Sequence, residues 1–223
     1  MTSTPYGSAP DPATVAALMA EGAAILGASG GLAMRARIRA AWPGATVAGP
    51  AFTAACATGD NLAIHVATAV APVGSVIVAA TGGDYELGYW GEVLTTAAEA
   101  RQLSGLVIDA GVRDTAALAA HGFGVFSTMV ALRSATKSTP GSVGGMITVG
   151  DVEVHGGDWV VGDSDGVVVI RATDLDDVLA AAQAKTVDEQ QIFGALKKGA
   201  TTVELLGLDA SLIQRLDEGR PNT

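Results

Sequence analysis

Short uninterrupted apolar runs alternate with helical spacing through the middle of this chain. Ser75–Ala80 and Gly105–Ala110 are continuous apolar runs, and Val125–Ser127 begins a third. Runs of that kind predict strands buried on both faces. Between them, Gly91–Leu103 and Thr115–His121 carry helical periodicity, with Asp114 placed to cap the second helix. Strand, helix, strand, helix, strand predicts parallel pairing through right-handed crossovers. Upstream, Asp11-Pro12 has the residue types of a helix cap and first position, for a helix running to about Leu26. Gly27 to Gly31 break it, and Leu32–Ala41 predicts a second helix ended by Trp42-Pro43-Gly44. Ala45–Cys56 predicts a strand interrupted at Gly49-Pro50, and Asn61–Val70 a helix.

The pattern changes after Pro140. Met146–Val149, Val152–Val154, Trp159–Val161 and Val167–Ile170 are short apolar segments separated by Gly- and Asp-rich turns. That spacing predicts a β-meander, with Asp163 and Asp165 as turn residues. Thr173–Lys198 predicts a long amphipathic helix with Thr173 as its cap. Residues 1–10 read as a loose tail, and residues 11–223 as a single α/β domain closed by the C-terminal helix.

Composition narrows the functional classes. The chain has 223 residues, of which 49% are hydrophobic, 16% charged and 4% aromatic, enough for one sizeable core. The net charge of −10 argues against a nucleic-acid backbone as partner. Arg35, Arg37 and Arg39 read as a solvated helix face rather than a basic patch. Cys56 is the only cysteine and sits among small residues, which reads as a buried thiol. The first ten residues lack the pattern of a signal peptide, and no apolar run has membrane-spanning length. A soluble cytoplasmic protein without membrane contact is the expectation.

The candidate chemistry lies on two loops that follow the C-terminal ends of adjacent predicted strands, the edge where open α/β sheets bind ligands. The first loop ends at Gly91-Glu92-Val93-Leu94, a helix start whose free N–H groups favour a carboxylate or phosphate. The second holds Arg113, a bidentate grip for a carboxylate, and Asp114, a hard ligand suited to Mg²⁺ or Mn²⁺. Each motif alone also fits an ordinary helix start or a structural ion pair. Together they fit a 2-oxo acid, with charge developing on an enolate oxygen. Asp84 and Glu86 are candidates for orienting metal waters, and Lys137 for adding positive charge. His65, His121 and His155 lack metal-ligand spacing.

These strings resemble the RraA-like family, which includes class II 4-hydroxy-4-methyl-2-oxoglutarate aldolases. The resemblance rests on Gly91-Glu92-Val93-Leu94 and on Gly105–Asp114. It extends to Val47–Thr53, Val154–Asp158 and Asp163–Val169. It implies a three-layer swivelling β/β/α fold in a homotrimer or hexamer. It also implies that Gly91, Glu92, Val93, Leu94 and Arg113 bind the 2-oxo acid, with Arg113 and Asp114 catalytic and Asp114 ligating the metal. The implied reaction is retro-aldol cleavage to pyruvate, or oxaloacetate decarboxylation through the same enolate.

Ala117 departs from that pattern, standing where the aldolases carry an acid, and the family's Ser-Asp-Ala-Leu string is missing near the N-terminus. Two alternatives therefore stand beside the lyase. One is another enolate-type reaction in a specialised pathway. The other is a non-catalytic protein like the ribonuclease regulators of the family.

Overall fold

The computed structural model describes residues 9–83 and 85–214. The expected tail therefore falls largely outside the described residues, as does Asp84. In chain order the strands are β1 (Leu32–Ala33), β2 (Arg39–Ala40), β3 (Val47–Ala55), β4 (Val76–Ala80), β5 (Gly105–Ile108), β6 (Gly111–Val112) and β7 (Gly124–Ser127). They continue as β8 (Met129–Val130), β9 (Ser142–Val143), β10 (Ile147–Val149), β11 (Val152–Val154), β12 (Trp159–Asp163) and β13 (Gly166–Ile170). The helices are α1 (Pro12–Ala28), α2 (Leu62–Val70), α3 (Glu92–Ala100), α4 (Thr115–His121), α5 (Leu175–Leu196) and α6 (Thr202–Leu205).

The main sheet runs β1-β13-β12-β3-β4-β5-β7-β2, with β9 also paired to β3. Its centre, β3 to β7, is parallel as the alternation of strands and helices predicts, and its flanks are antiparallel. The sheet curls, so that Arg39 on one end strand donates to the Asp165 carbonyl beside the other, at 2.7 Å. Phe126 of β7 fills the curl. A Cβ added at Gly162 of β12 would lie 2.9 Å from its ring.

Alternation along each strand sends side chains into separate cores. Val76 and Val78 face inward with Val107, Phe126, Val160 and Val167, where the β10–β11 hairpin covers them. Ile77, Ala79, Leu106 and Ile108 face outward, under α2, α3 and α4. On the flank, Val161, Val168 and Ile170 pack with Leu18 and Leu26 of α1 and Val178 of α5. Helices, curled sheet and hairpin form the three layers of the expected β/β/α fold.

Several expectations fail for identifiable reasons. Leu32–Ala41 is not a helix: its ends pair as β1 with β13 and β2 with β7. Met34 and Ile38 have helical spacing because both are buried beneath Gly150 at the hairpin turn. Arg37 holds Asp109 with two bonds, 2.9 and 2.5 Å, and Arg35 holds Asp151, so these arginines clamp loops rather than line a helix face. The meander is two separate hairpins, because β11 pairs only with β10 while β12 joins β3.

Gly49-Pro50 does not interrupt its strand. It marks where β3 changes neighbours, from β12 at residues 47–50 to β4 at 51–55. Thr173 lies inside a 3-10 turn, and α5 starts after it at Leu175. Asp163 does more than close a turn, since it also accepts from Ala23 N at 2.7 Å, where Gly22 kinks α1.

The chain divides into two compact units, one up to Gln183 and one from Ala184. The second holds the rest of α5 and α6, which Thr201 and Glu204 close with a reciprocal capping box. No helix among the described residues is long and apolar enough to cross a membrane.

The curl rests on Phe126. Phe126→Ala is expected to lower stability by about 3–5 kcal/mol in denaturant titration. A loss below about 1 kcal/mol would show that the sheet does not close around this ring.

Candidate functional site

Both sequence-derived loops meet at the start of α3. Trp90 anchors the first: its indole N–H donates to Thr95 Oγ1 at 2.7 Å, and its ring stacks on Phe123 at a centroid separation of 6.0 Å. Backbone bonds then tie it to the second loop, Tyr89 N to Gly111 O at 3.0 Å and Arg113 N to Trp90 O at 2.9 Å. A third segment joins them through Gly88 N to Arg133 O and Ala131 N to Val112 O, at 2.7 and 2.9 Å. The sequence placed β6 in a loop, since two residues carry no readable period.

Asp114 adopts the left-handed conformation, φ 57° and ψ 34°, which is uncommon for a residue with a side chain. It sits at the cap position of α4 but does not cap it with its carboxylate. Instead Oδ2 accepts from Glu92 N, the first amide of α3, at 3.1 Å. The Glu92 amide is thereby occupied, and among the described residues no side chain accepts from Val93 N or Leu94 N. Gly91 permits this approach. A Cβ there would collide with Asp114 Oδ2 and lie 3.0 Å from Arg113 Cγ. Arg113 donates to Ser134 Oγ at 2.8 Å, and its Nε lies 3.7 Å from Asp114 Oδ2.

Gly91, Arg113 and Ser134 border a cleft of about 160 Å³, and Asp114 is held beside them by Glu92 N. Lys137, a minor candidate in the sequence, lines it with Arg113, Gly91 and Val93. So do Asn61 and His65, one helical turn apart on α2, whose roles were not legible in isolation. Asn61 donates from Nδ2 to Tyr89 O at 2.8 Å, and among the described residues its buried Oδ1 has no partner. His65 Nε2 is buried and likewise has none among them. Burial first, and then the positive charge of Lys137, lowers the His65 pKa, while Asp60 opposes this more weakly.

Asp60 fixes the wall that carries Lys137. It is 1% exposed and accepts from Leu62 N, Thr136 Oγ1, Ser138 N and Thr139 N at 2.6–2.9 Å. Burial raises its pKa, but the four hydrogen bonds overcome that and hold it well below the ordinary carboxylate range. Cys56 is buried as expected, and burial pushes its thiol up to about 11. His121 binds Glu99 at 2.8 Å, and His155 lies in the Arg171–Asp158 cluster, both apart from the cleft lining. Glu86 is exposed.

A metal would find one carboxylate here. Among the described residues no three His, Cys, Asp or Glu side chains converge. Asp114 is 41% exposed in its side chain, with Oδ2 engaged and Oδ1 outside any hydrogen bond among the described residues. That donor set fits a hard, mostly hydrated ion such as Mg²⁺, whose remaining ligands are water and substrate oxygens. It does not fit a metal caged by protein.

The family pattern described as RraA-like, Aldolase/RraA, matches residues 17–169, and the chain belongs to that family. A relative from Halalkalibacterium halodurans, named "Putative 4-hydroxy-4-methyl-2-oxoglutarate aldolase", is 35% identical over 144 residues, covering 65% of this chain and 69% of the relative. An uncharacterized protein from Pseudomonas syringae has the same fold, with TM-score 0.75 and 26% identity over 90% of this chain and 96% of its own. The RNA-processing inhibitor RraA from Thermus thermophilus shares the fold at TM-score 0.58 and 24% identity, over 63% of this chain and 85% of its own. The chain thus resembles both a relative named as a putative aldolase and, in fold, a structure named as an RNA-processing inhibitor.

Gly91→Ala is expected to lower stability by about 1–3 kcal/mol in denaturant titration, because the added methyl displaces Asp114 and Arg113. Unchanged stability would contradict the close-packed site. Asp60 has a depressed pKa in the folded chain, so its contribution is complete above its unfolded value of about 3.9 and is lost as pH falls toward the folded value. Denaturation at pH 3 to 7 is expected to show stability falling below about pH 4 in the wild type, with a shallower fall in Asp60→Asn. Identical slopes would contradict this role.

Proposed function

We propose that this protein is a divalent-metal-dependent carbon–carbon lyase acting on 2-oxo acids. The reaction is retro-aldol cleavage of a 4-hydroxy-4-methyl-2-oxoglutarate-type substrate to pyruvate, oxaloacetate decarboxylation, or both. The carrying observation is that the start of α3 and Arg113 line one cleft, with Asp114 tied to the same helix start through Glu92 N.

The residues divide the work. The first-turn amides of α3, chiefly Val93 and Leu94 now that Glu92 N serves Asp114, present partial positive charge to the substrate carboxylate. Arg113, oriented by Ser134, faces the same anion and the oxygen on which enolate charge develops. Lys137 adds a second positive charge to the lining. Asp114 would hold Mg²⁺ or Mn²⁺, which supplies Lewis-acid stabilisation of the enolate when bound. Ala117 contributes no second acid from α4, so the ion would depend on Asp114, water and substrate.

A trimer-based assembly fits the rim of the site. Val93 is 76% exposed, and Leu132, on the segment leading to Ser134, is 84% exposed. Burial against a second copy would remove both from water.

Pyruvate release from oxaloacetate and from 4-hydroxy-4-methyl-2-oxoglutarate is the direct test. Activity is expected with added Mg²⁺ or Mn²⁺, to stop in excess chelator, and to fall at least about 100-fold in Arg113→Ala, the size expected when a transition-state donor is removed. Asp114→Ala is expected to lose activity together with metal affinity. Full turnover in chelator would overturn the metal-dependent reading. An inactive wild type that instead captures a ribonuclease would favour the regulator reading.

A further inference from the structure

The proposed reaction needs a proton carrier, and the groups already described do not supply one. A guanidinium is a donor without acceptor capacity, and Arg113 is engaged by Ser134. Asp114 accepts from Glu92 N and stands at the metal position. Lys137 supplies positive charge to the lining. Tyr89 is fully buried and accepts at its hydroxyl from Gly59 N, at 3.2 Å. Among the described residues lining the cleft, His65 alone has a side chain that ordinarily titrates near neutral pH.

His65 is also held in a suitable way. It lies on the first turns of α2, where its backbone N donates to Asn61 O at 3.2 Å. α2 is fixed from beneath by Asp60 and by Asn61, whose amide is locked onto Tyr89 O. The imidazole is half-buried, and among the described residues its Nε2 has no hydrogen-bond partner. A buried imidazole nitrogen left unpaired is costly for a purely structural residue.

We propose that His65 is a catalytic residue, the proton shuttle of this cleft. The proposal rests on the lyase reading above. In the retro-aldol direction the neutral imidazole takes the proton of the substrate's C4 hydroxyl. The C3–C4 bond breaks, the hydroxyl carbon becomes a carbonyl, and the electron pair of the broken bond forms the pyruvate enolate. The imidazolium then returns the same proton to C3, giving the pyruvate methyl group. No oxidant or further reactant is needed. In decarboxylation the C3–carboxylate bond breaks to release carbon dioxide, and a protonated His65 delivers the C3 proton. The facing charges suit the first step: burial and Lys137 favour the neutral ring, against the weaker opposing effect of Asp60.

The test is exchange of the pyruvate methyl protons with deuterated solvent, followed by NMR with Mg²⁺-loaded full-length protein, beside calorimetry with oxalate. His65→Asn and His65→Gln are expected to slow exchange by about 100-fold or more. Oxalate affinity is expected to stay within about threefold, as is usual when only proton transfer is removed. The wild-type rate is expected to rise with pH through the imidazole titration, and the variants to lose that limb.

His65→Gln serves if His65→Asn does not fold. Exchange retained within about threefold in a folded variant overturns the proposal. So does a parallel loss of oxalate binding, which marks a packing role. Wild-type protein that binds oxalate but exchanges no protons overturns the shuttle and leaves the anion site standing. Wild-type protein that does neither overturns the lyase reading together with the shuttle.

Discussion

The site depends on one hydrogen bond, from Glu92 N to Asp114 Oδ2. It joins the first amide of α3 to the residue that begins α4, and so joins two successive crossovers of the parallel sheet. A carboxylate at a helix N-terminus is favoured by the unpaired amides and the helix dipole. Here that carboxylate comes from a neighbouring loop, which brings Arg113 with it. Absence of a side chain at Gly91 is the steric condition for the contact. The left-handed backbone at Asp114 is its conformational cost, offset by the dense bonding of residues 88–91, 111–113 and 131–136.

The fold makes that meeting reproducible. Parallel β4 and β5 send consecutive connections out at the same edge of the sheet. The curl, filled by Phe126 and the β10–β11 hairpin, gives the edge a rigid base. Asp60 extends the same logic to the opposite wall. A buried carboxylate with four donors fixes residues 136–139, and with them Lys137, against the start of α2. Two cationic side chains, Arg113 and Lys137, then line the cleft of a chain whose net charge is −10.

The parallel core was legible because Val76–Ala80 and Gly105–Ile108 are too apolar for one-sided burial, and Gly91 and Asp114 punctuate the helices that follow. The candidate loops were legible for the same reason, since both lie at strand ends. Leu32–Ala41 was misread because Met34 and Ile38 satisfy a helical spacing whose cause is tertiary, namely the hairpin closing over them. The use of Asp114 to cap α3 rather than α4 was hidden too, because local sequence carries no record of a partner 22 positions away. In the sequence His65 is a histidine without metal-ligand spacing, and Asn61 is the first residue of a predicted helix. Only the folded backbone shows that they share a wall with Arg113.

Relatives of this chain bear both aldolase and inhibitor names, so the central claim concerns what occupies the cleft. A crystal structure of the protein grown with Mg²⁺ and oxalate, a mimic of the pyruvate enolate, addresses it most directly. The account predicts oxalate between the first-turn amides of α3 and Arg113, with Mg²⁺ held by Asp114. Oxalate bound elsewhere, or a cleft holding only solvent while Arg113 remains on Ser134, would contradict it.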